Sequence, residues 1–204
     1  MTLSLGGRFE QAVGYDISPH MLAIAQENAG KHQFGAQTQF QEVDVEEGIP
    51  VEDATISFVV MNLGTASDVR NIERVIKETL RVLKPGGRFL FSFYNRDALL
   101  YRWEFLPWPV SLVASINLHD HCLEVHSGNE VLSVYARPYT VDEVAALFRN
   151  VGVKVNLSTY STMSAILPND LFENQPGIQE AIVSLDENLS TSPMGAYIIA
   201  TGQK

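Results

Sequence analysis

Short apolar runs alternate along the chain with longer stretches in which apolar positions recur every three or four residues. The first run, QAVGYD (11–16), reads as a strand that ends in an acid. Ser18 and Pro19 follow, a capping residue and a proline at the first helical position, where a missing N–H costs nothing. They predict a helix to about Gly30, with Met21, Leu22 and Ala25 on one face. TQFQEVD (38–44) is a second strand, again closed by an acid. ATISFVVMN (54–62) is almost continuously apolar and β-branched, the pattern of a strand buried on both faces. Asp68 predicts the start of a long helix whose Val69, Ile72, Val75, Ile76, Leu80 and Leu83 share helical spacing. LKPGG (83–87) stops it, because glycine takes positive φ at a helix end and proline often follows one. RFLFSFYN (88–95) is another buried strand.

Residues 97–135 break the alternation. They hold the aromatic YRWEFLPWP and then CLEVHS and EVLSVYA around Gly128-Asn129, which predict a lid and a β-hairpin. Thr140 and Glu143 form a capping box for a helix ended by Gly152. A strand over 153–160, a helix over 176–188 and a last strand, GAYIIATG (195–202), complete the chain. Repeated strand–helix units imply an α/β protein, a doubly wound, mostly parallel sheet with helices on both faces. One domain over 1–204, with the lid and hairpin inserted at about 97–135, accounts for the pattern.

Composition narrows the function. A net charge of −10 disfavours nucleic acid, whose binding needs a basic surface, and favours a small-molecule substrate. The single cysteine, Cys122, excludes an intrachain disulfide. MTLSLGGRFE lacks a signal-peptide layout, and FLPWPVSLVASINL (105–118) is too short to span a bilayer. The expectation is a cytoplasmic protein without a membrane span.

The acids at strand ends carry the candidate chemistry. In nucleotide-binding α/β domains such an acid grips a ribose, about 20 residues after a glycine-rich turn. Only fifteen residues precede Asp16, and Gly6-Gly7 follows no strand. Taken alone, Asp16 reads better as a helix cap or turn former, and Asp44, beside Glu46-Glu47, equally well as a solvated charge. A carboxylate can take two hydroxyl bonds at once, which suits a ribose diol. Asp16 and Asp44 are separated by one strand–helix–strand unit, which puts both at carboxyl ends of neighbouring parallel strands.

Together GYDISPHM, QEVDVEEGIP, VVMNLG, RVLKPGGRFLFS and the tail GAYIIATGQK resemble the class I S-adenosylmethionine-dependent methyltransferases. The resemblance implies a Rossmann-like sheet with an antiparallel last strand and S-adenosyl-L-methionine as cofactor. It implies that Asp16, with Ile17 beside it, takes the ribose hydroxyls. Asp44 and the Val45 backbone N–H would take adenine, and Asn62 would lie by the methionine part. The family's first strand and G-x-G-x-G turn should precede Asp16 by about 20 residues. The expectation is therefore an N-terminally truncated chain, with Met1 internal to a longer reading frame and the first strand missing.

The implied reaction is methyl transfer to a small acceptor. The aromatic lid favours an apolar or aromatic acceptor, with a core or dimer contact as the equal alternative. Tyr94, Asn95, His119, Asp120, His121 and Tyr139 are candidates for a general base, and none is assigned. HDHC (119–122) is a poor zinc motif, so no metal is expected. A non-catalytic relative, a nicotinamide-dependent oxidoreductase and a transferase using decarboxylated S-adenosylmethionine remain as alternatives.

Overall fold

Strand β1 (Ala12–Asp16) pairs in parallel with β2 (Thr38–Glu42), in register from Ala12 opposite Thr38 to Asp16 opposite Glu42. Gly14 is needed at the middle of this pair, since a Cβ there would lie 2.7 Å from the Phe40 ring across the ladder. Helix α1 (Pro19–Gly30) connects the two strands. It starts as its sequence dictates, with the Ser18 side chain accepting from the Met21 N–H at 3.3 Å and Pro19 in the first turn. Its apolar face is shallow: only Ala29 is buried, while Met21 and Ile24 stay exposed. The computed structural model describes residues 9–31, 35–99, 112–117, 121–127, 130–166 and 176–204. The chain divides into two units, residues 1–51 and 52–204, and these elements make up the first.

The second unit is built on a four-stranded sheet ordered β3–β4–β9–β8. Strand β3 (Ile56–Met61) lies parallel to β4 (Leu83–Tyr94), and β9 (Tyr197–Gln203) runs antiparallel to both β4 and β8 (Val155–Tyr160). The expected antiparallel last strand is therefore present. Among the described residues β1 pairs only with β2, and β3 only with β4. LKPGG forms an irregular start to β4, where the register with β3 jumps from Ile56–Leu83 to Phe58–Arg88 and Gly86 takes φ +80°. Lys204 fastens that segment, donating its N–H to the Gly87 carbonyl at 2.9 Å and its Nζ to the Leu83 carbonyl at 2.8 Å.

Alternation along RFLFSFY decides the core. Phe89, Phe91 and Phe93 fall on one face of β4 and are all buried. Phe148 of α3 (Val141–Asn150) meets the three rings at centroid distances of 5.4, 5.8 and 6.4 Å. Such aromatic pairs each add about 0.5–1.5 kcal/mol beyond their buried area. The Thr140–Glu143 capping box that starts α3 forms as its sequence predicts. Helix α2 (Ile72–Val82) adds Ile72, Val75, Ile76, Thr79 and Val82 to the core. It begins later than expected, at Ile72, because Asn71 rather than Asp68 caps it by accepting from the Arg74 N–H. Helix α4 (Pro176–Asn188) covers the range its sequence predicts.

The hairpin strands are present as β6 (Cys122–Ser127) and β7 (Glu130–Tyr135). A third strand, β5 (Leu112–Asn117), pairs with β6, so that part of the segment read as lid is sheet. Its run, LVASIN, alternates only over Ala114–Asn117, within a longer apolar stretch. The rest of the expected lid, residues 100–111 with Trp103 and Trp108, lies outside the described residues.

Candidate functional site

Parallel pairing sets the ends of β1 and β2 side by side. Asp16 is the last residue of β1, and its carbonyl accepts from the Val43 N–H at 3.1 Å, one step beyond the strand pairing. Asp44 follows two residues past the end of β2. Each acid uses one carboxylate oxygen to hold its own turn. Asp16 Oδ1 accepts from the Ser18 N–H at 2.8 Å, and Asp44 Oδ1 accepts from the Glu46 N–H at 2.8 Å. Among the described residues nothing hydrogen-bonds the second oxygen of either acid. Ile17 stands 70% exposed beside Asp16, and Val45 is half-buried beside Asp44. The unit thus presents two fixed acceptors and an apolar side chain at one strand edge. That donor-seeking, partly apolar set fits an adenosine, with a diol to one carboxylate and an exocyclic amine to the other.

In the second unit, Asn62 opens a tight turn at the carboxyl end of β3. Its carbonyl accepts from the Thr65 hydroxyl at 2.6 Å and from the Thr65 N–H at 3.3 Å. Leu63 and Gly64 both take positive φ, 58° and 82°. Gly64 has no room for a side chain, since a Cβ would come within 2.2 Å of the Tyr94 ring. The turn is pinned to β4: Gly64 N–H donates to Ser92 Oγ at 3.1 Å, and Tyr94 N–H donates to Ser67 Oγ at 2.9 Å. Asp68 closes it.

Solvent reaches Asp68, yet the protein around it removes enough water to push its carboxyl up to about 6. Tyr94 and Tyr197 are cross-strand neighbours on β4 and β9, with ring centroids 6.0 Å apart. Burial, then the charge of Asp68 and the neighbouring Tyr197, push Tyr94 up to about 12. Burial and then Asp68 raise Tyr197 as well. Sequence reasoning named Tyr94 but missed Asp68 and Tyr197. Asp68 looked like a helix start, and no local pattern ties Tyr197 to Tyr94.

The other candidates do structural work. Asn95 is fully buried, donating its amide to the Pro193 and Gly195 carbonyls at 2.7 and 2.6 Å. Tyr139 is buried against Phe93, with burial the main cause that pushes it up to about 12. His121 sits at φ 52°, edge-on to the Tyr135 ring. His119 and Asp120 lie outside the described residues. Among the described residues no helix is long and apolar enough to cross a membrane.

The family model described as a methyltransferase domain matches residues 1–91. Residues 1–91 thus resemble a methyltransferase domain, in agreement with the motifs read from the sequence. A curated relative from Brucella anthropi, the ubiquinone/menaquinone biosynthesis C-methyltransferase UbiE, is 37% identical over 105 residues. That match covers 48% of this chain and 39% of the relative. The chain spans about two fifths of the length of the curated relatives it matches. Solved structures share the fold of this chain at low identity. A Pyrococcus horikoshii protein aligns at TM-score 0.61 and 16% identity, over 98% of this chain and 74% of its own. A Thermotoga maritima S-adenosylmethionine-dependent methyltransferase, titled a possible histamine N-methyltransferase, aligns at 0.58 and 19%, over 98% and 77%.

Proposed function

We propose that this chain transfers a methyl group from S-adenosyl-L-methionine to a small aromatic acceptor. The observation that carries the reading is the pair of acids at adjoining parallel strand ends. Asp16 and Asp44 are each fixed by one oxygen and keep the other for a ligand. In the proposed complex Asp16 accepts the ribose hydroxyls, with the exposed Ile17 against the sugar and base. Asp44 accepts the adenine amine, and the Val45 N–H donates to the ring. Asn62 is assigned to the methionine end on the strength of the sequence resemblance alone. When bound, the cofactor supplies a sulfonium methyl, an electrophile that needs a placed nucleophile more than acid catalysis. An aromatic acceptor is proposed because the curated relatives are named for C-methylation in quinone biosynthesis.

Calorimetry with S-adenosylhomocysteine and with NADH tests the cofactor. The expected result is binding of S-adenosylhomocysteine alone. Asp16→Asn should lower that affinity about tenfold or more, because a charge-assisted hydrogen bond contributes roughly 1.5–3 kcal/mol. Tight NADH binding, or equal S-adenosylhomocysteine affinity in the variant, sinks the proposal.

A further inference from the structure

We infer that Asp68 is the proton acceptor for an aromatic hydroxyl on the methyl-accepting substrate. The inference deepens the function proposed above and rests on it only for the fate of the deprotonated oxygen. Its ground is a constellation within the second unit that structural duties leave unused. Asp68 lies just beyond the carboxyl end of β3, the end of the strands at which open α/β sheets bind their ligands. The turn that carries it is held by Ser67 and Ser92 to Tyr94 and Gly64, so its position is set by β4 rather than by solvent.

Helix α2 does not use Asp68, since Asn71 caps it. Among the described residues no hydrogen bond or ion pair occupies the Asp68 carboxylate. Solvent reaches it while its hydration is incomplete, the condition in which a carboxylate takes a proton most readily near neutral pH. Among the described residues, Tyr94 from β4 and Tyr197 from β9 are titratable groups on which its charge acts, and both phenols are held more firmly protonated than free tyrosine. Arg70, two residues on, places its guanidinium 4.4 Å over the Tyr135 ring. The carboxylate is therefore the base of the trio, and the two rings supply a surface against which a flat substrate can lie.

The step balances without any further reactant. The aryl O–H bond breaks, the proton moves to a carboxylate oxygen of Asp68, and the bonding pair stays on the aryl oxygen. Nothing is oxidised or reduced. The aryloxide left behind is the electron-rich partner that methylation at oxygen or at the ring requires.

Calorimetric titration of the full chain with 1-naphthol, between pH 5 and pH 8, tests the assignment without any turnover. Naphthol affinity should rise roughly tenfold as pH passes through 6 and the carboxylate becomes a charged acceptor. Asp68→Asn should show a flat, low affinity across the range, and Asp68→Glu should keep a rise. Absence of naphthol binding, or an unchanged pH profile in Asp68→Asn, overturns the inference. A parallel titration with S-adenosylhomocysteine keeps the two readings apart. Cofactor binding without the naphthol response removes only Asp68. A naphthol response without cofactor binding removes methyl transfer and leaves Asp68 as the acceptor of an aromatic hydroxyl.

Discussion

The backbone N–H of Tyr94 donates to the side-chain oxygen of Ser67 at 2.9 Å, tying the end of β4 to the turn that follows β3. Ser67 is fully buried, so Ser67→Ala leaves that N–H without a partner or water. The expected cost is about 1–3 kcal/mol, read as a lower midpoint in urea denaturation at unchanged slope.

Two glycines with nearly the same φ separate clash from conformation. Gly152 has φ +80° with nothing within 4 Å of an added Cβ, whereas Gly64, at φ +82°, would press a Cβ into the Tyr94 ring. Gly152→Ala should cost about 1 kcal/mol from the left-handed backbone alone. Gly64→Ala should add a further 1–3 kcal/mol or so for displacing the ring. Equal losses from the two substitutions would show that Tyr94 moves aside freely.

Asn95 joins the end of β4 to the segment before β9. Its amide satisfies the Pro193 and Gly195 carbonyls, and its Oδ1 accepts from the Asp97 N–H at 3.0 Å. Asn95→Asp keeps the shape but turns a carboxylate toward two carbonyls. It should destabilise more than Asn95→Ala at pH 7.5, and acidification should narrow the gap as the new carboxyl gains a proton to donate. Thermal melts of both variants across pH check this order.

Asp68 also sets a pH dependence of stability. Its folded pKa is raised from an ordinary carboxyl value to about 6, so the folded state binds its proton more tightly than the unfolded chain. The stabilisation from that proton is complete below about pH 4 and is lost as pH climbs through 6. Asp68→Asn should therefore melt above the parent protein at pH 7.5 and match it near pH 4. A variant that melts lower at pH 7.5 would mean the carboxylate holds the turn.

Where physics is local, the sequence was a good guide. Ser18-Pro19, the Thr140–Glu143 box and the alternating Phe89, Phe91 and Phe93 each act through neighbours a few residues away, and each forms as read. The parallel placement of Asp16 and Asp44 was legible from spacing for the same reason. Where two local solutions compete, reading failed. Asp68 and Asn71 could both begin a helix, and the buried Ser67, which anchors the preceding turn to β4, lets the later residue win. Strand β5 was hidden because LVASIN alternates over four residues only and lies within a longer apolar stretch. The Asp68–Tyr94–Tyr197 group was beyond reach, since the antiparallel register of β4 with β9 pairs the two tyrosines and the Ser67–Tyr94 hydrogen bond ties the turn of Asp68 to β4.

Leu63 offers a handle for altering the protein. Its side chain is 70% exposed, and its backbone stands at φ 58°, a conformation costing a leucine about 1–2 kcal/mol that a glycine would escape. Folding gains nothing from a leucine there. A saturation library at position 63 can therefore sample charge, size and aromaticity on the turn that follows β3 while leaving the buried framework untouched. Any change in ligand preference across such a library would come from the side chain itself.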